Sequence, residues 1–325
     1  MSEIHKVYSA CIHEDKVLKI GVEVSLSRGL PYYQVVGLGD SAVKESRERI
    51  RQAFRNLGIN FPNKRITVNL SPAWVSKKGS GFDLPIALAL LQAMGIVPDG
   101  LVLAALGELS LTGDIRDGPE DLALVSAFTK FSDSPIDIVL LPYLCKERLE
   151  KYYEGGYYFH NLGECVSFLK KLSHPKSREN KNKSSVPFIF KPDFSARKIA
   201  PPDFNINLKL QETAWRALNI ALAGNHHLLM LGAKGSGKTT LARSGQYLLP
   251  SLSEDKLFNK IQEYAMSGLL YPGDGLVPFR EPHFSISQAA LLGGSYRYPF
   301  GEVALASGGI LFLDEISEFS PSTLN

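Results

Sequence analysis

The sequence predicts an α/β protein of about two domains, the second built around a phosphate-binding loop. Three observations predict it. Strand-like and helix-like segments alternate from residue 6 to residue 172. An apolar run of strand length, His227 to Leu231, leads into Gly232-Ala233-Lys234-Gly235-Ser236-Gly237-Lys238-Thr239, which fits G-x-x-x-x-G-K-[ST] at every fixed position. Farther on, Gly309-Ile310-Leu311-Phe312-Leu313 reads as a buried strand that ends in two carboxylates, Asp314 and Glu315.

Residues 6–14, 17–26 and 32–37 are rich in Val, Ile and Tyr and read as strands, with breaks at Glu14-Asp15 and Ser27 to Pro31. Asp40 is placed to cap a helix whose Val43, Ile50, Phe54 and Leu57 share one face and which Gly58 closes. Its other face carries Lys44, Glu45, Arg47, Glu48, Arg49 and Arg51, a solvated surface or a basic contact surface. Arg65–Leu70 alternates as a strand, and Leu84–Met94 is so apolar that it must be buried on most sides. Strands are expected at 101–111, 137–141 and 157–160, and helices at 120–131, 144–153 and 164–172. Residues 173–200 read as a basic, flexible linker between domains at 1–172 and 201–325. From Lys170 to Lys191 there are seven basic residues and one acid, a density suited to solubility or to a phosphate backbone. In the second domain, Leu210, Ala214, Ala217, Leu218 and Ala221 form a helical stripe, and a helix is expected at 255–267. Residues 268–308 are a long Gly-, Pro- and aromatic-rich insert in which Arg280 or Arg297 stacks a base or serves loop packing.

The loop residues suit a nucleotide. Gly232, Gly235 and Gly237 let the backbone turn its N–H groups onto a phosphate, and the following helix directs its positive end there. Lys238 supplies a mobile charge for the β- and γ-phosphates, and Thr239 a hydroxyl for magnesium. Asp314 fits the other half of the magnesium site, and Glu315 fits a general base for the attacking water.

Composition narrows the rest. At 44% hydrophobic and 21% charged the chain is an ordinary globular protein, with no apolar run of membrane-spanning length and no signal-peptide core. Cys11, Cys145 and Cys165 fit no metal or redox spacing and read as buried thiols of a cytoplasmic protein. His226, His227 and His283 have no metal-ligand spacing either and read as structural residues.

Nearly the whole chain resembles the magnesium-chelatase-like AAA+ ATPases of the ComM/YifB type. The likeness rests on Val36-Gly37-Leu38, the Ala42–Arg49 helix start, Arg65–Leu70, Gly79-Ser80-Gly81-Phe82-Asp83-Leu84-Pro85, Gly107–Gly113, the phosphate loop, Pro278-Phe279-Arg280 with Pro282-His283, and the Asp314-Glu315 strand. It implies a Lon-protease-like (ribosomal S5 domain 2-like) α/β domain followed by an incomplete P-loop AAA+ α/β domain. It also implies a homo-hexamer that uses ATP and Mg2+ to work on single-stranded or branched DNA. By position, Gly232, Ala233, Lys234, Gly235, Ser236, Gly237, Lys238, Thr239 and Thr240 hold ATP, Thr239 and Asp314 hold Mg2+, and Glu315 is catalytic. Several positions depart from the family pattern. Gly81 stands where a Lon-type protease has its serine, and no lysine lies between Lys78 and Lys130, so peptidase chemistry is not expected. Phe284 replaces a second histidine, and Ala233-Lys234 replaces Pro-Pro. The family continues past the position of Asn325 into further strands, sensor residues, an arginine finger and a lid. The 325-residue chain is therefore expected to be a fragment that keeps the ATP site, leaves the His227–Leu231 strand without neighbours and hydrolyses ATP poorly. The alternatives are a metal-insertion chaperone, against which the first 170 residues weigh, and a non-catalytic ATP- or nucleic-acid-binding protein.

Overall fold

The computed structural model describes residues 3–14, 16–79, 81–129, 136–172, 188–191, 208–233, 235–271, 276–294 and 300–324. The chain divides into two compact units, Met1–Pro192 and Asp193–Asn325.

In the first unit, β1 (Ile4–His13) and β2 (Lys16–Ser27) form a long antiparallel hairpin. β3 (Tyr32–Val36) leads to helix α1 (Ser41–Asn56), which Asp40 caps by accepting the Val43 N–H at 3.0 Å. Then come β4 (Arg65–Ser71), α2 (Asp83–Ala93), β5 (Leu103–Ala105) and the small hairpin β6 (Glu108–Leu109) and β7 (Ile115–Arg116). α3 (Asp121–Leu124), β8 (Ile138–Pro142), α4 (Lys146–Leu149), β9 (Tyr153–Glu154), β10 (Tyr157–Phe159) and α5 (Leu162–Leu172) follow. Seven strands make one mixed sheet in the order β10-β8-β5-β1-β2-β4-β3, antiparallel at β1–β2 and β2–β4 and parallel elsewhere. This is the mixed α/β architecture that the alternating pattern predicts.

The core sits on one face of that sheet. Val7, Val22, Val24, Ile66, Val68 and Leu70 point into it, and α1, α2 and α5 supply Val43, Ile50, Phe54, Leu84, Leu88, Leu91 and Leu169. Val22, Val24, Ile66, Val68 and Leu70 of this face alternate with the half-exposed Glu23, Ser25, Thr67, Asn69 and Ser71, so the period-2 pattern of the sequence marks which face is inward. α2 is buried almost all round, as its uniform apolarity requires. Its one charge, Asp83, is fully buried and takes the Arg49 Nε–H at 2.5 Å, the Arg49 Nη2–H at 3.0 Å and the Leu109 N–H at 3.1 Å.

Three expectations need correction. The single strand expected at 101–111 is split into β5 and β6, because Gly107 sits at φ +143° and a Cβ there would meet Ile115 Cγ2 at 2.6 Å. The helices expected at 120–131 and 144–153 are single turns extended by 3-10 segments, Val125–Phe128 and Tyr143–Cys145. Four residues of the expected linker are anchored: Ile189–Phe190 is a strand (β11) paired with β9. Phe188 stacks on Tyr153 with ring centroids 5.3 Å apart, and Lys191 Nζ donates to Glu154 Oε2 at 2.7 Å. Three successive apolar residues, Phe188 to Phe190, hold it, with both phenylalanine rings against Tyr153. The basic residues from Lys176 to Lys183 lie outside the described residues.

Asp121 opens α3 almost wholly buried, and its carboxylate accepts the Gly118 N–H at 2.9 Å. Burial outweighs that bond and the attraction of Arg148, and Asp117 and Glu120 add repulsion, so the carboxyl is pushed from 3.8 up to about 7. The folded chain thus holds a proton that the unfolded chain releases between those values. Stability contributed at Asp121 is present below pH 4 and is lost as pH rises to 7. Urea unfolding of the first unit is expected to show this slope, and Asp121→Asn to flatten it while raising stability at pH 8 by about 2 kcal/mol. An unchanged slope in the variant counts against this assignment.

In the second unit, α6 (Leu208–Gly224) precedes the phosphate loop and α7 (Lys238–Ser244) follows it. α8 (Glu254–Met266), β12 (Phe279–Arg280), α9 (Gln288–Leu292), α10 (Glu302–Leu305), β13 (Ile310–Leu311) and α11 (Pro321–Leu324) complete it. The insert expected over 268–308 therefore contains a strand and two short helices. Its Tyr296-Arg297-Tyr298-Pro299 motif lies outside the described residues. β12 and β13 pair in parallel, closed by the Ile310 N–H to Pro278 O at 2.9 Å and the Phe312 N–H to Arg280 O at 2.8 Å. Gly309 permits this approach, since a Cβ would sit 2.0 Å from Pro278 O.

Among the described residues, 226–233 belong to no sheet, and Leu229 and Leu231 are 69% and 86% exposed. The strand expected at His227–Leu231 is therefore not formed: no ladder partner lies beside it among the described residues. The strand expected at 309–313 is shorter than read and half-buried rather than buried. Burial of an apolar strand needs neighbours on both edges and both faces, and β13 is laddered only to β12 among the described residues.

Candidate functional site

The loop between Gly232 and Thr239 turns on two glycines in the left-handed region, Gly235 at φ +80° and Gly237 at φ +85°. L-residues with a side chain rarely adopt these angles, which is why the pattern demands glycine there. The Ser236 N–H returns to Ala233 O at 3.2 Å and tightens the turn. Lys238 leaves the first turn of α7 and folds back over the loop, its Nζ donating to Gly232 O at 2.9 Å and Ala233 O at 3.1 Å. The charge therefore lies at the mouth of the turn. Thr240 is exposed on the same helix, and Lys234 lies outside the described residues.

The second half of the site comes from β13. Thr239 Oγ1 donates to Asp314 Oδ2 at 3.2 Å, across 75 residues of sequence. The hydroxyl and the carboxylate read separately from the sequence as magnesium ligands are thus neighbours. Glu315, the next residue, is exposed and takes a left-handed backbone at φ 51°, its N–H held by Asp314 Oδ1 at 3.0 Å. A non-glycine residue in that region is strained by about 1–3 kcal/mol, and such strain concentrates at functional positions.

One residue reaches the site that the sequence reading passed over. Gln211 on α6 donates its Nε2–H to Ser236 O at 2.7 Å, and a Cβ on Gly237 would lie 2.5 Å from the same nitrogen. Gly237 is therefore required twice, by its backbone angle and by the amide packed on it. A lone glutamine beside a helical stripe carries no local signal for this role. Arg280, weighed above for base stacking or for loop packing, is committed to packing within the unit. Its Nε and Nη2 donate to Glu302 at 2.6 and 2.7 Å, and its guanidinium lies 5.6 Å from the Tyr264 ring centroid. The carboxylate of Glu302 raises the Arg280 pKa above its ordinary value. This clamp joins α8, β12 and α10 and holds the strand beside β13. His283 bonds Ser285 Oγ through Nδ1 at 2.8 Å, in keeping with a structural role.

The donor set suits a magnesium–phosphate pair more than a metal held by protein alone. Two oxygen donors, Thr239 and Asp314, adjoin a glycine turn and one lysine. No group of three His, Cys, Asp or Glu side chains able to hold a metal occurs among the described residues. Magnesium keeps several waters and is held through one or two carboxylates plus substrate phosphates.

In the first unit, Lys77 is fully buried and its ammonium donates to the Gly37 and Pro72 carbonyls, while burial lowers its pKa. Gly79 N–H donates to Asp40 Oδ2 at 3.0 Å. Ser80 lies outside the described residues. Cys11, Cys145 and Cys165 are buried and free, and no helix among the described residues is long and apolar enough to cross a membrane.

Two family models match. One, described as subunit ChlI of Mg-chelatase, covers residues 22–142, and the other, magnesium chelatase, subunit ChlI, covers residues 204–325. The chain is 36% identical over 313 residues to an uncharacterized protein YifB of Salmonella typhimurium, spanning 94% of this chain and 58% of that protein. It is 34% identical over 326 residues to the competence protein ComM of Haemophilus influenzae, spanning 98% of this chain and 61% of that protein. An uncharacterized protein Rv2897c of Mycobacterium tuberculosis is 35% identical over 313 residues, spanning 94% of this chain and 59% of that protein. The chain thus spans about three fifths of the length of these relatives. With both units matched to chelatase models and the likeness to YifB and ComM running almost end to end, the chain belongs to the magnesium-chelatase-like family of the ComM/YifB type.

Proposed function

We propose that this chain is the nucleotide-binding portion of an AAA+ ATPase that drives work on single-stranded or branched DNA, in the cytoplasm and as a homo-hexamer. The observation that carries the nucleotide half is the Thr239–Asp314 contact beside the glycine turn. Gly232 to Thr240 hold ATP in this reading, with the ammonium of Lys238 meeting its phosphates. Thr239 and Asp314 hold Mg2+, which when bound neutralises phosphate charge and polarises the γ-phosphoryl group. Glu315 orients and deprotonates water. The strained backbone and the exposure of Glu315 support that role, because such strain concentrates at functional positions and an exposed carboxylate is open to water. The DNA half is supported by the name competence protein carried by the Haemophilus relative and by the basic run at 170–191.

Hydrolysis of MgATP by the purified chain, measured with and without single-stranded DNA, tests the proposal. DNA is expected to raise turnover at least about threefold, since a motor couples the two sites through a shared free energy. MgATP binding with no effect of any DNA on turnover or on nucleotide affinity removes the DNA half and leaves the nucleotide half standing.

A second reading, a metal-insertion chaperone, is favoured by one observation. The model matching residues 22–142 also carries the chelatase subunit's name, so the first unit does not weigh against that reading as the sequence suggested. Binding of a porphyrin to the chain, detected by quenching of its fluorescence, selects this alternative.

A further inference from the structure

The sheet of the first unit has two unlike faces: the main core fills one, and on the other Ala104, Val139 and Leu141 of β5 and β8 are buried while the row residues of β2, β4 and β3 are left half-exposed or exposed. The strand register places Lys6, Glu23, Asn69 and Val36 in one row across β1, β2, β4 and β3. Ile4, Ser25, Thr67 and Gln34 form the next row, and Ser27, Arg65 and Tyr32 the one beyond. Tyr8 and Lys19 lie on the same face, opposite Gly21 and Ala10. α3 and its 3-10 extension pack against β1 and β2. From β2 outward the row residues are half-exposed or exposed, whereas their sequence neighbours Val22, Val24, Ile66, Val68 and Leu70 are buried.

The chemistry of this face is selective. It carries three cations, Lys6, Lys19 and Arg65, against one carboxylate, Glu23, which is already met by Lys6 at 3.4 Å and by Asn69 Nδ2–H at 2.9 Å. Both aromatic rings are paired with cations. Lys6 and Lys19 lie 5.0 and 5.1 Å from the Tyr8 centroid, and Arg65 lies 5.7 Å from that of Tyr32, which is 53% exposed. Thr67, Asn69 and Gln34 add hydrogen-bonding groups between them, and Ile4 is the one large exposed aliphatic side chain in these rows. A protein partner would ask for more apolar area at the centre of such a patch. A polyanion with flat, unpaired bases matches it: phosphates to the lysines, bases to tyrosine and guanidinium planes. A sheet spanning about 14 Å over four strands offers a platform for a few extended nucleotides and no element to enter a duplex groove.

We infer that the β1–β2–β4–β3 face of the first unit is a docking platform for single-stranded nucleic acid, built on Tyr8, Tyr32, Lys6, Lys19 and Arg65. This rests on the proposed work on DNA and gives that work a surface within the first unit.

The test is fluorescence anisotropy of a labelled oligothymidylate titrated with the full 325-residue chain at several salt concentrations. The triple variant Lys6→Gln, Lys19→Gln, Arg65→Gln is expected to raise Kd at least tenfold and to reduce the slope of log K against log salt by about 2, since each lost phosphate contact removes about 0.7. Tyr32→Leu, an exposed change that leaves every charge in place, is expected to raise Kd about fivefold with the slope unchanged. A variant with Lys176, Arg178, Lys181 and Lys183 changed to Gln serves as comparison. If it removes the salt-dependent binding while both platform variants stay within twofold of the parent chain, the platform is overturned and the DNA reading stands. If the parent chain fails to bind the oligonucleotide at low salt, both fall together. Circular dichroism confirms that each variant is folded, and Tyr32→Leu alone decides the matter if the triple variant is not.

Discussion

Replacing Lys238 with alanine is expected to weaken MgATP binding about 100-fold, or roughly 3 kcal/mol, in a calorimetric titration. The lysine is the one cation inside the loop pattern whose placement is described, and it is held over the turn by Gly232 O and Ala233 O. Two effects then act together. The variant loses a charge-assisted bond to phosphate oxygens, and it removes the lysine donor from Gly232 O and leaves Ala233 O with the Ser236 N–H alone to hold the turn in shape. Lys238→Arg separates them, because it keeps the charge while replacing a compact ammonium with a planar fork that the turn does not match. Intermediate affinity is expected for that variant. An alanine variant that binds MgATP as tightly as the parent chain would mean that the loop does not receive the phosphates, and the proposed ATP site would be lost with it.

The second large effect lies in the first unit. Asp83→Ala is expected to destabilise the first unit by about 3–5 kcal/mol, measured by urea unfolding, because it strands a charge and a backbone donor at once. Arg49 is only 19% exposed and would keep a guanidinium with no counter-charge at Asp83, and the Leu109 N–H would lose its acceptor. The bond to Asp83 raises the Arg49 pKa, whereas burial raises that of Asp83 against the pull of Arg49. The pair therefore secures α1 to the start of α2 at a large desolvation cost. Changing both partners, Arg49→Met with Asp83→Leu, is expected to recover most of the loss, since no buried charge remains. A single-variant loss below about 1 kcal/mol would show that the site hydrates readily and that the pair does little for the fold.

Much of this was legible before any coordinates. Asp40 as a cap, the one-sided alternation of β1, β2 and β4, and the buried α2 follow from short-range patterning, where side-chain direction has a period of 2 or 3.6. Gly235 and Gly237 were legible for a similar reason: their backbone angles belong to the residue itself. The anchored segment at 188–191 was not, because its hold comes from Tyr153, more than thirty residues back in the chain. The choice between base stacking and packing for Arg280 was left open in the same way, since its partners Glu302 and Tyr264 lie on two helices apart from it in sequence.

The amino-acid order alone determined the phosphate loop, the acidic pair that follows a strand, and the alternating α/β plan, because each is written in neighbouring residues. Folding alone decided that Thr239 touches Asp314, that Gln211 rests on Gly237, and that Leu229 and Leu231 stand exposed beside the loop. Contact and burial are properties of whatever lies across the chain. A local pattern states what a segment needs, and only the assembled neighbours determine whether that need is met.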